Sequence, residues 1–123
     1  MKLKSFRDLR VWQAAMDLVE HIYRLTQHSP KSELYGLTSQ LQRAAVSVPS
    51  NIAEQHTREY TKEFLHHLSI AQASLAELET QLEIAVRLKY VGAAEVNFVL
   101  EQVVSLGKQQ YALRNALRDR ANA

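Results

Sequence analysis

The sequence predicts an all-α fold: an up-down-up-down four-helix bundle that forms a single domain over residues 1–123. A length of 123 residues suits one hydrophobic core. Helix formers dominate, and only 3 Gly and 2 Pro occur, too few for the turns of an all-β protein. Apolar residues recur at helical spacing in four segments, which gives predicted helices at about 8–28, 34–56, 61–89 and 93–118.

The first helix is expected to begin near Asp8, with Ser5 as its cap. Two apolar rows follow and together predict a broad core-facing stripe: Val11, Ala15, Leu18, Ile22 and Leu25 in one, and Trp12, Met16, Val19 and Tyr23 in the other. The second helix starts between Ser32 and Gly36. Its apolar face is formed by Leu37, Leu41, Ala45, Val48 and Ile52. Pro49 lies inside this pattern and predicts a kink, because it removes a backbone donor; two shorter helices are the alternative.

The third helix has Thr61 as a suitable N-cap and the most regular apolar pattern of the chain. Its predicted core positions follow a heptad spacing: Phe64, Leu68, Ala71, Leu75, Leu78, Leu82 and Ala85. The fourth helix has a similar apolar face, formed by Val96, Val99, Leu100, Val103, Leu106, Leu113 and Leu117. Gly107 and Gln110 are expected to weaken this face midway.

Charge is distributed unevenly along the chain. Residues 1–10 and 105–123 each carry a net charge of +3, and the segment between them carries −4. In an up-down-up-down bundle the two basic segments converge into one basic end: Lys2, Lys4, Arg7, Arg10, Arg114, Arg118 and Arg120. The positive electrostatic field of such a basic end attracts phosphate backbones, whatever their base sequence. The alternative is that these cations suit the dipole of the fourth helix and belong to ordinary basic tails.

A polar row on the second helix forms another candidate site. Its members recur at helical spacing: Gln40, Arg43, Ser47, Asn51, Glu54 and Arg58. A shorter row on the third helix lies beside the heptad positions: Ser74, Glu77 and Gln81. These rows predict a recognition or subunit-contact face that uses charge-assisted hydrogen bonds between Arg and Glu. An ordinary solvated face is the alternative.

Catalytic and metal chemistry find little support in the residues. The absence of cysteine excludes disulfides, cysteine nucleophiles and thiolate metal sites. Glu63 and His66 form one Glu-x-x-His unit, but di-iron bundles need two, and we expect Glu63, His66 and His67 at the surface. No serine or histidine lies in an activating motif. We expect no enzyme activity, metal or cofactor.

The N-terminal segment has no apolar signal region, and no stretch approaches the roughly 18 apolar residues of a membrane span. The expected location is therefore the cytoplasm, with no membrane partner.

Taken in order, the motifs resemble those of the bacterial four-helix-bundle proteins encoded in intervening sequences of 23S ribosomal RNA genes. The matching residues run from Phe6, Leu9, Val11, Trp12 and Gln13, through Gly36-Leu37, Gln40-Leu41, Arg43-Ala44 and Ser47-Val48-Pro49, to Asn51-Ile52-Ala53-Glu54 and Arg58, and then Glu63-Phe64, Leu68, Ile70-Ala71, Ser74-Leu75 and Glu77-Leu78-Glu79. The family usually has Gly where this chain has Gln55, so the second helix is expected to run longer here.

The resemblance implies a homo-oligomer, with cyclic pentamers favoured, and a molecular function that is unsettled within the family. Related proteins that accompany retroelement reverse transcriptases bind nucleic acid and a protein partner. From the residues and the resemblance together we expect a non-enzymatic, homo-oligomeric scaffold that binds RNA, DNA or a nucleic-acid-associated protein. The alternative is a protein–protein interaction module with no affinity for nucleic acid.

Overall fold

The computed structural model describes residues 5–33, 36–58 and 61–122, and side chains as far as residue 118. Its helices are α1 (Arg10–Thr26), α2 (Leu37–Thr57), α3 (Thr61–Arg87) and α4 (Ala93–Asn122). Short 3-10 turns precede α1 at Phe6–Asp8 and α2 at Lys31–Glu33. Each helix packs against its neighbours in the chain, and α4 returns to α1. The predicted all-α bundle of four helices is confirmed, and no strand occurs in the described residues.

The first helix differs from its prediction at its start and on one face. The hydroxyl of Ser5 accepts the Arg7 N–H at 3.2 Å, so it caps the 3-10 turn, and α1 begins only at Arg10. The row from Ala15 to Leu25 is buried, but Met16 and Tyr23 of the second row are 41% and 43% exposed. The expectation that both rows face the core is wrong at these two residues: Trp12 and Val19 of the second row pack against the core, whereas Met16 and Tyr23 face solvent.

The second helix is continuous through Pro49, so the alternative of two shorter helices is wrong. A kink at Pro49 stays a prediction. The helix also continues past Gln55 to Thr57, in line with the longer helix expected where the family has Gly. Gln55 is only 2% exposed and therefore belongs to the interior of the bundle.

The apolar core is formed by one face of each helix. The predicted row on α3 is buried from Leu68 to Ala85, and Phe64 is half-buried. On α4 four predicted residues are buried: Val96, Val99, Val103 and Leu106. Gln110 was expected to weaken this face, yet it is 1% exposed and continues the buried row. Burying each large aliphatic side chain contributes about 1.5–3 kcal/mol, so these rows stabilise the bundle.

Side-chain contacts give the register of α1 against α4. The Nδ1 atom of His21 lies 2.8 Å from the amide oxygen of Gln102, and Ala14, nearer the start of α1, shares a groove with Gln109. The two helices are therefore antiparallel. The start of α1 and the C-terminal part of α4 lie toward the same end of the bundle, and Arg87 and Lys31 lie toward the other.

At that other end, Glu33 joins two connections of the bundle. One carboxylate oxygen accepts the Leu37 N–H at 2.9 Å and caps α2, and the other accepts the Tyr90 hydroxyl at 3.2 Å. A Cβ at Gly36 would lie 2.7 Å from this carboxylate, so a larger residue would displace the cap. Tyr90 follows the end of α3, where Lys89 adopts a φ of 62° and the Tyr90 N–H donates to the Ala85 carbonyl at 2.9 Å.

This contact predicts a loss of stability in alkali. Burial, the hydrogen bond to Glu33 and the charge of Glu33 raise the pKa of Tyr90 above its ordinary value of 10.0. Only the neutral phenol donates to Glu33, so the contact stabilises the fold below pH 10 and is lost as pH rises through the raised pKa. We expect wild type to exceed Tyr90→Phe in urea midpoint at neutral pH, and the gap to shrink in alkali. A gap that does not change with pH would contradict the assignment.

Candidate functional site

Polar side chains connect α2 and α3 across the side of the bundle that those two helices share. The Ser74 hydroxyl, on a residue only 6% exposed, donates to the Ser47 hydroxyl at 2.8 Å. The Asn51 amide nitrogen donates to the Ser47 carbonyl at 2.8 Å and to its hydroxyl at 3.1 Å. The Asn51 amide oxygen lies 3.0 Å from Nδ1 of His67. Three predicted site residues and one further histidine thus form a hydrogen-bonded chain.

The hydrogen-bond partners of Asn51 determine which ring nitrogen of His67 carries a hydrogen. A backbone carbonyl only accepts, so the Asn51 atom that faces Ser47 is its NH₂ group, and the oxygen faces His67. That oxygen also only accepts, so Nδ1 of His67 carries a hydrogen.

An open groove of about 400 Å³ lies between α2 and α3, and Ser47 and Ser74 form part of its lining. We call it the α2/α3 groove. Its lining comes from both polar rows and from two apolar residues: Gln40, Arg43, Ala44, Ser47, Ile70, Ser74, Glu77 and Gln81. Gln40, Arg43 and Glu77 are exposed. The amide oxygen of Gln81 is buried and has no hydrogen-bond partner among the described residues. The groove therefore has an exposed cation on its α2 wall and an exposed anion on its α3 wall.

The last two residues of the predicted row, Glu54 and Arg58, lie outside both the groove and the hydrogen-bonded set formed by Ser74, Ser47, Asn51 and His67. Arg58 donates to the Glu54 carboxylate at 2.6 Å, one turn apart on α2, with side chains 42% and 50% exposed. The Arg–Glu contact predicted for this face therefore forms within one helix. As an exposed pair it contributes about 0.3–0.5 kcal/mol.

The residues of the basic end each have a separate environment. Arg7 lies over the ring of Phe6 at 4.7 Å, Arg10 is exposed, and Arg118 donates to Asn115 at 3.0 Å. Arg114 is half-buried and donates to Gln72 of α3 at 3.4 Å. None of these four forms an ion pair with a described side chain. Lys2, Lys4 and the side chain of Arg120 lie outside the described residues.

Sequence reasoning missed one member of the polar chain. His67 was expected at the surface, but it is half-buried against Asn51, whereas His66 is exposed. A signal was present, because His67 precedes Ser74 by seven residues and so extends the α3 row by two helical turns. Two further buried polar residues, Gln55 and Gln110, each carry an amide oxygen without a partner among the described residues.

The described part of the chain contains neither a metal-binding cluster of side chains nor a helix that could span a membrane. No group of three or more His, Asp or Glu residues there lies close enough to hold a metal ion, and Glu63 is exposed. Within the same residues, no helix combines the length and the apolar character needed to cross a bilayer.

Comparison with known proteins bears on the polar rows. The family model described as 23S rRNA-intervening sequence protein matches residues 7–112 of the chain. The chain belongs to this family. The matched range includes every residue of the α2/α3 groove, as well as Arg7 and Arg10 of the basic end, and it ends before Arg114 and Arg118. A search of curated proteins found no match.

A solved structure of a related fold extends this comparison. It is the crystal structure of a protein of unknown function from the S23 ribosomal protein family of Bacteroides thetaiotaomicron VPI-5482. The TM-score is 0.78 at 19% sequence identity, over 85% of this chain and 97% of that one. At this identity the likeness shows the fold alone, and the fold is the same helical bundle.

Proposed function

We propose that this member of the 23S rRNA-intervening sequence protein family is a non-enzymatic, homo-oligomeric scaffold that binds the phosphate backbone of nucleic acid through its basic end. The observation that carries the proposal is a set of arginines at one end of the bundle that form no ion pair with any described side chain. Arg7, Arg10 and Arg118 belong to segments that converge there, and no described carboxylate neutralises them. An assembly of several copies repeats this end and strengthens its field.

The chemistry of this end suits phosphates better than bases. Arginine donates several hydrogen bonds in a planar fork and matches phosphate geometry. Phe6, the aromatic residue next to Arg7, already packs edge-on against Trp12 with ring centroids 5.3 Å apart. Contacts between arginine and phosphate favour nucleic-acid binding that depends on charge and changes little with base sequence.

Salt dependence tests the phosphate contact directly. Purified full-length protein is titrated against fluorescent single-stranded RNA and duplex DNA, with light scattering in the same buffers to give the oligomeric state. If each binding event neutralises about four phosphates, affinity for the RNA should fall about 50-fold between about 50 and 200 mM salt. Binding that does not change with salt, or no binding at low salt, contradicts the phosphate contact.

Two variants of equal charge loss make the test specific to one end. Arg7→Gln, Arg10→Gln and Arg118→Gln are combined in the first variant. The matched control removes three exposed cations from the opposite end: Lys31→Gln, Arg87→Gln and Lys89→Gln. We expect the first variant to lose most of the affinity and to show a shallower salt slope. Equal losses in both would indicate attraction by net charge alone and contradict a site at the basic end.

A second candidate function is a protein-interaction module that does not bind nucleic acid. It is favoured by the large apolar side chains that the bundle leaves outside its core: Phe98 is 56% exposed and Tyr111 57%. Exposed aromatic residues of this size are typical of protein–protein contacts. This candidate predicts no binding at low salt in the titration above and full partner binding by the basic-end variant.

A further inference from the structure

We propose that the α2/α3 groove is a subunit contact, and that it receives the Glu20–Arg24 pair on α1 of a second copy of this chain. This inference rests on the proposed homo-oligomer. It adds the surface by which copies meet and the residues that recognise each other.

The groove presents opposite charges that do not neutralise each other. Arg43 on α2 and Glu77 on α3 both line it, and both are exposed. The ion pairs among the described residues are Glu20–Arg24 and Glu54–Arg58, and neither involves Arg43 or Glu77. An occupant that fits both walls therefore brings an anion to α2 and a cation to α3.

The carboxylate of Glu77 determines which cation suits this wall. It is exposed in the groove and presents two acceptor oxygens side by side. A guanidinium has five N–H donors in a planar fork and donates to two acceptors at once, whereas an ammonium is a compact charge. The cation that suits this wall best is an arginine.

The first helix carries a pair with this chemistry. Arg24 and Glu20 lie one turn apart, 3.8 Å from each other, with side chains 69% and 66% exposed. A loose, exposed pair contributes little within one chain, so both side chains are available to other partners. Their Cβ atoms lie about 5–6 Å apart, and both side chains are long enough to reach the walls of a groove between helices about 8–10 Å apart.

Apolar side chains around the pair strengthen the match. Met16 and Tyr23 are 41% and 43% exposed and share one face of α1 with Glu20. In the groove, Ala44 and Ile70 supply apolar surface between the charged walls. Docking buries both sets, which gives an apolar centre flanked by charge pairs, the usual anatomy of a protein interface.

The positions of the two surfaces determine the symmetry of the contact. The first helix packs on α2 and α4, whereas the groove lies between α2 and α3, so the two surfaces lie on different sides of one copy. Each copy then uses its groove for one neighbour and its α1 for another. Such a heterologous contact forms a ring when the rotation between copies closes.

Reversing the charges one at a time and together tests the contact in the full-length chain. Glu77→Arg and Arg24→Glu each place like charges together. Each is expected to raise the dissociation constant of the oligomer at least about tenfold, measured by analytical ultracentrifugation. The double variant restores the pair in reverse and should return most of the affinity. Arg24→Lys keeps the charge but loses the fork, and a rise of several-fold is expected.

A matched control and the possible results decide the proposal. Glu79→Arg makes the same reversal on α3 outside the groove and should leave assembly unchanged, and circular dichroism checks the fold of every variant. A wild-type chain that stays monomeric at all concentrations contradicts the proposed oligomer and this contact together. An oligomer that tolerates both single reversals, or that the double variant does not restore, contradicts this contact alone.

Discussion

Leu78→Ala is expected to lower the free energy of unfolding by about 2–5 kcal/mol. Leu78 has no exposed surface and lies in the core on α3, directly after Glu77 of the groove. Truncation removes its buried methyl and methylene groups and leaves a cavity that the surrounding helices fill only in part. Because α3 provides one wall of the groove, this packing also holds the groove in shape.

The loss is measured by urea unfolding at a single protein concentration, since assembly adds stability that depends on concentration. Leu88→Ala is the matched control, because it makes the same chemical change just beyond the end of α3, where Leu88 is 51% exposed. It should cost less than about 1 kcal/mol. Equal losses in the two variants would show that Leu78 is not in a tightly packed core.

Asn51→Leu is expected to destabilise the bundle by about 1–3 kcal/mol. The substitution removes the acceptor of the His67 Nδ1–H and the donor to the Ser47 hydroxyl. Both partners are half-buried, so water replaces the lost hydrogen bonds only in part. Chemical unfolding of the two proteins under the same conditions measures the difference.

A double variant separates lost hydrogen bonding from lost packing. Replacing both partners, as in Asn51→Leu with His67→Leu, leaves no unpaired donor between them and should recover at least half of the loss. If the loss in the double variant equals or exceeds the sum of the two single losses, the His67–Asn51 contact does not stabilise the fold.

The outcome at Asn51 also bears on the family signature. Ser47, Asn51 and Ser74 belong to the motifs that resemble the family, and the structure uses their polar groups to join α2 to α3. A large stability loss with unchanged assembly would give these residues a structural role. Arg43 and Glu77, which have no ion-pair partner in the described part of the chain, would then remain the recognition residues of the groove.

Most of the fold could be predicted from the sequence, because helix burial follows a short-range period. The α3 row from Leu68 to Ala85 repeats every three or four residues, and this spacing alone places it on one face. The same period placed Ser47, Asn51 and Ser74 on polar faces. It gave the residue types of the candidate site, but not the partners of those residues.

Other features depend on contacts between segments that are distant in the sequence. Met16 and Tyr23 lie on an apolar pattern as regular as that of the core, yet they are exposed, whereas Trp12 and Val19 of the same row pack against the core. Gln110 is polar, yet it is buried because α4 packs at its position. Burial of a given residue depends on where the neighbouring helices pack, and the local sequence pattern does not contain that information.

The sequence by itself determined four helices, their apolar faces, the family and the uneven distribution of charge, because each of these depends on residues within a few turns of one another. The tertiary structure alone decided that Ser74 pairs with Ser47, that His67 pairs with Asn51, and that Arg43 and Glu77 share a groove without an ion pair between them. These contacts follow from the relative rotation and register of α2 and α3, which depend on how two complete helix surfaces pack together.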